Sequence, residues 1–157
     1  MKFQEFVCQE ALIADLKATS AREVLEEMVD ALVEAGKLSA KHRKSVVDTL
    51  MARERKASTG FGNGVAIPHV KHEAVKELVG SVGCSSAGVG FDALDRQPVY
   101  VFFLLVSPPD KPAEHLKAME NIFRSAQKEH WRRFLKQAES VGAIWAVSYT
   151  HLTLPTN

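Results

Sequence analysis

The chain has 157 residues, 46% of them hydrophobic and 25% charged, which is enough for one domain to bury its own core. Twenty basic against nineteen acidic residues leave a net charge of +1, so no bulk field gathers nucleic acid or an anionic membrane. No apolar run approaches the roughly 18 residues that span a bilayer, and "MKFQEFVCQEALIADL" has no continuous apolar stretch of the signal-peptide kind, so the expectation is a soluble cytoplasmic protein.

In chain order, residues around Leu12 to Leu16 read as a short first strand. "TSAREVLEEMVDALVEAG" follows as an amphipathic helix. Ser20 and Glu23 form an S-x-x-E capping box, Val24, Leu25, Met28, Leu32 and Ala35 recur at helical spacing, and Gly36 supplies the stop. A second helix is expected from Ser39 to about Arg55, with Val46, Val47, Leu50 and Met51 inward. Arg53, Arg55 and Lys56 sit in its last turn, where the helix dipole favours cations. Val65 to Ile67 is a short buried edge. Leu78 to Phe91 reads as a strand followed by a turn or bulge at Gly88 and Gly90. Pro98 to Ser107, "PVYVFFLLVS", is apolar almost throughout, as in a central strand covered on both faces. "PPDKPAEH" leads into a helix with an apolar stripe of Leu116, Met119, Ile122, Phe123 and Ala126, and a second stripe follows at Trp131, Phe134, Leu135 and Ala138. Helices first, strands in the middle and helices last give an α/β fold, a three-layer α/β/α domain with a small mixed β-sheet. The segment "VSYTHLTLPTN" leaves the charged helical pattern and resembles vector or adapter sequence. The expected division is therefore a domain over residues 1–147 and a non-native tail over 148–157, with His151 outside the functional argument.

Chemistry concentrates in "TGFGNGVAIPHVKH", Thr59 to His72. His69 and His72 form an H-x-x-H, but a zinc or iron site needs three or four ligands, and Glu73 and Cys84 stand at no familiar spacing. The expected reading of His72 is a solvated side chain at the start of a short helix. Cys8 and Cys84 are too few and too distant for a disulfide framework and read as small buried apolar residues. Gly60, Gly62 and Gly64, with Asn63 between them, permit positive φ, so successive N–H groups could turn toward an anion. There is no G-x-x-x-x-G-K-[ST], hence no Walker loop. An anion-binding loop beside a histidine fits a phosphoryl group carried on imidazole, which is largely neutral near pH 7 and nucleophilic there. A glycine turn with a structural histidine is the other reading these residues allow.

"STGFGNGVAIPH" resembles the active-site signature of the enzyme IIA domains of the bacterial phosphoenolpyruvate:sugar phosphotransferase system, of the fructose, mannitol and nitrogen-regulatory type. "ARE", Ala52 to Glu54, resembles the family's arginine–glutamate pair at the end of the second helix. "FDALDRQPVYVFFLLVSPPDKPAEHLKAMENI" is similar to its F-D-x-x-D-x-x-P-V strand and the histidine-bearing helix beyond. The resemblance covers residues 1 to 147 and implies a fold like that of the phosphotransferase/anion-transport proteins. It implies that His69 takes the phosphoryl group, that His115 is the second active-site histidine, and that Arg53 is the arginine paired with phosphate oxygens. Gly60, Gly62, Asn63 and Gly64 become the expected phosphate-binding loop. One departure is that Val70 stands where the family commonly has glycine.

The resemblance further implies no cofactor and no metal. The donor is the histidine phosphocarrier protein, and the acceptor is an enzyme IIB protein or domain, or a regulatory target. No nucleic acid takes part, and the protein is at most peripheral to a membrane transporter. Neutral His69 would attack through Nε2, its tautomer fixed by an unnamed partner at the other nitrogen. With no IIB or transporter segment on the chain, the stand-alone nitrogen-regulatory form is the expected one. Phe61, Val65 and Val70 are the expected partner-facing rim. Two rivals remain: a regulatory binding module on the same fold with little phosphotransfer, and more remotely a metal hydrolase.

Overall fold

The apolar run after Pro98 becomes β5 (Val99–Ser107), and the rest of the molecule is arranged around it in a computed structural model that describes residues 2–56, 59–91 and 96–153, with side chains through 147. On one edge of β5 lies β4 (Val79–Val89), antiparallel. On the other lie β2 (Val65–Ala66) and β3 (His69–Lys71), both parallel. Val65 faces Val101 and His69 faces Leu105, the same offset, so β2 and β3 are one strand path interrupted at Ile67 and Pro68. β1 (Gly60–Gly62) pairs antiparallel with β2. The sheet is small and mixed, as its sequence implies.

Because both faces of β5 are covered, its residues divide between two cores. Val99, Phe102, Leu104 and Val106 pack with α2 (Ala21–Glu34) and α3 (Arg43–Lys56). Val101, Phe103 and Leu105 pack with α1 (Phe3–Phe6), α4 (Pro112–Ala126), α5 (Glu129–Gln137) and α6 (Val141–Thr153). Full burial of Leu25, Met28 and Leu32 on α2 stabilises this layer by about 1.5–3 kcal/mol per side chain. The ends of α2 follow from its sequence. Ser20 Oγ accepts from Glu23 N–H (3.3 Å). At the other end Gly36, at φ 76°, lets Lys37 N–H reach Leu32 C=O (3.0 Å), closing a Schellman motif. The box itself is rearranged: the Glu23 carboxylate takes hydroxyl bonds from Ser20 (2.9 Å) and Thr19 (3.3 Å).

Several expectations are corrected. The strand at Leu12 to Leu16 is reduced to an isolated bridge of Ile13 to Gly83, because Leu12 enters one core and Leu16 the other as the chain crosses the sheet edge. Ile13 N–H still bonds to Val82 C=O (3.0 Å) and Leu16 N–H to Cys84 C=O (2.7 Å), which covers β4. On α4 the buried stripe is rotated toward Ala118, Met119, Ile122 and Ala126, leaving Leu116 58% and Phe123 39% exposed. On α5 Trp131 and Leu135 are buried but Phe134 is 50% exposed. The expected tail, residues 148–157, is a separate matter: helix α6 runs through Thr153, and residues 154–157 lie outside the described set. Both cysteines are free and buried, as expected of small apolar residues. Among the described residues no helix is long and apolar enough to cross a membrane.

Candidate active site

The break between β2 and β3 answers why a histidine follows a proline. Pro68 has no N–H to give the sheet, so the strand path can bend there without orphaning a donor. Its carbonyl keeps the ladder by accepting from Leu105 N–H (3.0 Å). The preceding carbonyl, of Ile67, accepts from His69 Nδ1 (2.7 Å). A carbonyl can only accept, so Nδ1 carries the hydrogen and Nε2 of a neutral His69 carries the lone pair. Strand alternation then sends Val70 into the α2–α3 core, 8% exposed. A valine is therefore accommodated as packing at the position where the resemblance expects glycine.

His115 comes to the same place from the other layer. Pro112 opens α4, and His115 in its first turn lies with its ring centroid 5.8 Å from that of His69. Its Nδ1 is 2.6 Å from Oγ of Ser107, the last residue of β5. An ion pair of Lys111 with Glu77 (2.8 Å) ties the start of α4 to the loop after β3. From α3, Thr49, Ala52, Arg53 and Lys56 complete an open depression of about 460 Å³ with His69, Val70, Lys71 and His115. The structure thus brings together His69, His115 and Arg53.

Both imidazoles are held below their ordinary range. For His69 the main cause is burial, opposed by the Ile67 bond and reinforced by the Arg53 and Lys71 charges. For His115 burial again leads, followed by His69 and Lys71, and the pKa falls to about 4. Two neutral imidazoles beside fixed cations can accept and hold an anion without first losing protons.

Other residues are placed differently from expectation. Gly62, Asn63 and Gly64 form a turn at φ 97°, 57° and 81°, but it caps the other end of the strand path. Gly64 C=O accepts from Tyr100 N–H (2.8 Å) at the start of β5, whereas His69 lies opposite Leu105. Five residue steps of extended chain lead from Gly64 to His69, roughly 16 Å. Gly60, Gly62, Asn63 and Gly64, expected as a phosphate-binding loop, are not among the residues lining the depression. Their chemistry is that of a tight hairpin: a Cβ on Gly64 would stand 3.3 Å from the Tyr100 ring. The expected apolar rim changes too. Val65 and Val70 are buried, while half-buried Phe61 packs on Phe123 with centroids 5.6 Å apart.

His72 is half-buried and not helical. It follows β3, with Nε2 2.8 Å from Ser45 Oγ and Nδ1 accepting from Ala74 N–H (2.9 Å). Its contacts are thus distinct from those of His69, and among the described residues no three His, Cys, Asp or Glu side chains gather as a metal would need. Glu54 accepts from Thr59 N–H (3.1 Å) and from the Thr59 hydroxyl, fastening the entry to β1. Ser58, and the Asp92 and Asp95 of the F-D-x-x-D stretch, lie outside the described residues.

Sequence reasoning missed the Ile67 carbonyl, Ser107 and the influence of Lys71. Ser107 had one legible signal: a hydroxyl closing an apolar strand, just before Pro108.

Comparison with known proteins places this geometry. Residues 5–149 match the family described as phosphoenolpyruvate-dependent sugar phosphotransferase system, EIIA 2. The chain belongs to that family. This EIIA chain is 31% identical over 147 residues to a nitrogen regulatory protein of Bradyrhizobium diazoefficiens, covering 94% of each. It is also 31% identical over 151 residues to the fructose-specific EIIABC component of Bacillus subtilis, and spans 24% of that protein's length. Among solved structures, the nitrogen regulatory protein IIA-Ntr from Neisseria meningitidis superposes with a TM-score of 0.82 at 31% identity, covering 92% of this chain and 97% of that one. The EIIA fold, with helices on both sides of a mixed sheet, is common to both.

Proposed function

We propose that this EIIA chain is a phosphohistidine relay in which Nε2 of His69 accepts the phosphoryl group. The observation that carries the reading is the Nδ1–H bond to Ile67, which directs the lone pair to the nitrogen away from the backbone, in a depression that also holds Arg53 and His115. The donor is the phosphohistidine of the histidine phosphocarrier protein. Its P–N bond breaks as the P–Nε2 bond forms, and its imidazole leaves with the electron pair. Nδ1 of His69 keeps its proton, and the positive character of the phosphorylated ring is met by the Ile67 carbonyl. Phosphoryl oxygens are met by the Arg53 guanidinium and by His115, in positions fixed before transfer.

The acceptor is an enzyme IIB protein or domain, or a regulatory target that distinguishes the two forms of the protein. The near-complete match to a nitrogen regulatory protein favours the regulatory use. Close to two added negative charges at an open depression are enough to alter docking there. The test is intact-mass spectrometry after incubation with phosphoenolpyruvate, enzyme I and the histidine phosphocarrier protein. An acid-labile gain of one phosphoryl group, absent in His69→Ala, is expected. No gain on folded protein with cognate donors overturns the relay and leaves a binding module on the same fold.

A further inference from the structure

We infer that Ser107 is a positioning residue, whose hydroxyl donates to His115 Nδ1 and so fixes His115 as the tautomer with its hydrogen on Nε2. The inference builds on the relay reading in what it means for catalysis, while the tautomer itself is a property of the unphosphorylated protein.

Ser107 is fully buried at the end of β5, and His115 is 9% exposed. Their 2.6 Å contact is of hydroxyl–imidazole length, and either group could donate. If Nδ1–H donated to Ser107, the buried hydroxyl hydrogen would need an acceptor, and among the described residues His115 Nδ1 is the one hydrogen-bond partner of the Ser107 hydroxyl. A buried donor left unmade is costly, while a hydroxyl oxygen with spare lone pairs is not. If Ser107 donates, its hydrogen is used and Nδ1 is occupied. The remaining proton of the neutral ring then sits on Nε2, across the ring from Ser107, on a side chain that lines the depression shared with His69.

The consequence is specific. His69 and His115 then have opposite tautomers. Ile67 makes His69 Nε2 a lone pair, and Ser107 makes His115 Nε2 a donor. One ring can attack phosphorus while the other gives a hydrogen bond to a phosphoryl oxygen without adding a full charge. The opposite tautomer at His115 would aim a second lone pair at the anion.

The test is long-range ¹H–¹⁵N correlation spectroscopy on the imidazoles of the full chain, free of phosphate, near neutral pH. Expected is Nε2–H for His115 in the natural sequence, and a shift toward a tautomer mixture in Ser107→Ala with the backbone spectrum otherwise kept. Finding Nδ1–H at His115 in the natural sequence overturns the inference whatever the variants do. In phosphotransfer, Ser107→Ala is expected to slow acceptance about tenfold with donor KM unchanged, and Ser107→Thr to restore most of the rate. In a His115→Gln background, where an amide replaces Nε2–H directly, Ser107→Ala is expected to change the rate little. An equal effect of Ser107→Ala in both backgrounds also overturns it. Failure of the natural protein to be phosphorylated refutes the relay but leaves the tautomer result standing.

Discussion

Burial of a histidine that titrates near 4 makes the fold itself sensitive to acid, and the size of the effect follows from the site. In the unfolded chain His115 takes up a proton near pH 6.5; in the folded chain burial and the neighbouring His69 and Lys71 defer this to about 4. Between those values the unfolded state binds more protons than the folded one, so stability rises with pH across the window and is lost as pH falls through it. The interval corresponds to roughly 3 kcal/mol, little reduced by solvent because His115 is 9% exposed. Urea unfolding at pH 7 and at pH 4.5 should therefore show a larger acid penalty for the natural protein than for His115→Gln, which has no proton to gain there. With a typical slope of about 1–3 kcal/mol per molar urea, the difference in midpoint shift is about 1 M or more. His69 adds to the acid sensitivity in the same direction, and both proteins retain that part. Equal pH dependence in the two proteins would refute the reasoning, since it would mean that His115 is already protonated in the fold or is not buried.

Arg53→Gln removes a fixed cation from the depression. Phosphoryl acceptance should fall about a hundredfold, and the His69 titration followed by NMR should move up, because Arg53 is one cause of its lowering. Gly88→Ala should destabilise by about 2 kcal/mol or more, since φ is 82° and the new Cβ would lie 2.9 Å from Tyr100 Cε1; differential scanning calorimetry reads the lower Tm. Burial pushes the Cys84 thiol up to about 12, so it should resist a thiol reagent in the native protein at pH 8 and react once the chain is unfolded, as followed by mass.

What was legible in the sequence had local causes. Helix α2 carries its own start at Ser20 and stop at Gly36, and β5 declares its place by being apolar on both faces. His69 and His115 could be paired only through resemblance, because 46 positions of chain separate them and nothing local says that β3 and the first turn of α4 meet. Two differences between expectation and placement share one cause, that direction in space is not written in composition. Nearness in sequence joins the glycine turn to His69, but an extended strand path sets the two at opposite ends of the sheet. Apolarity alone counts Leu116 and Phe123 inward, while the layer takes Ala118 beside the expected Met119, Ile122 and Ala126. Helix α1 is only four residues long and owes its place to Phe3 and Phe6 packing on Phe103, a tertiary contact that no local pattern announces. Ser107 and the Ile67 carbonyl were invisible for the same reason: each acts through a hydrogen bond that exists only once the fold has formed.

In the relay proposed above, backbone geometry chooses the nucleophilic atom. The most direct measurement is NMR of the phosphorylated, ¹⁵N-histidine-labelled protein, which identifies the nitrogen bonded to phosphorus. Phosphorus is expected on Nε2 of His69 with Nδ1 still protonated. Phosphorus on Nδ1 of His69, or on His115, would contradict it.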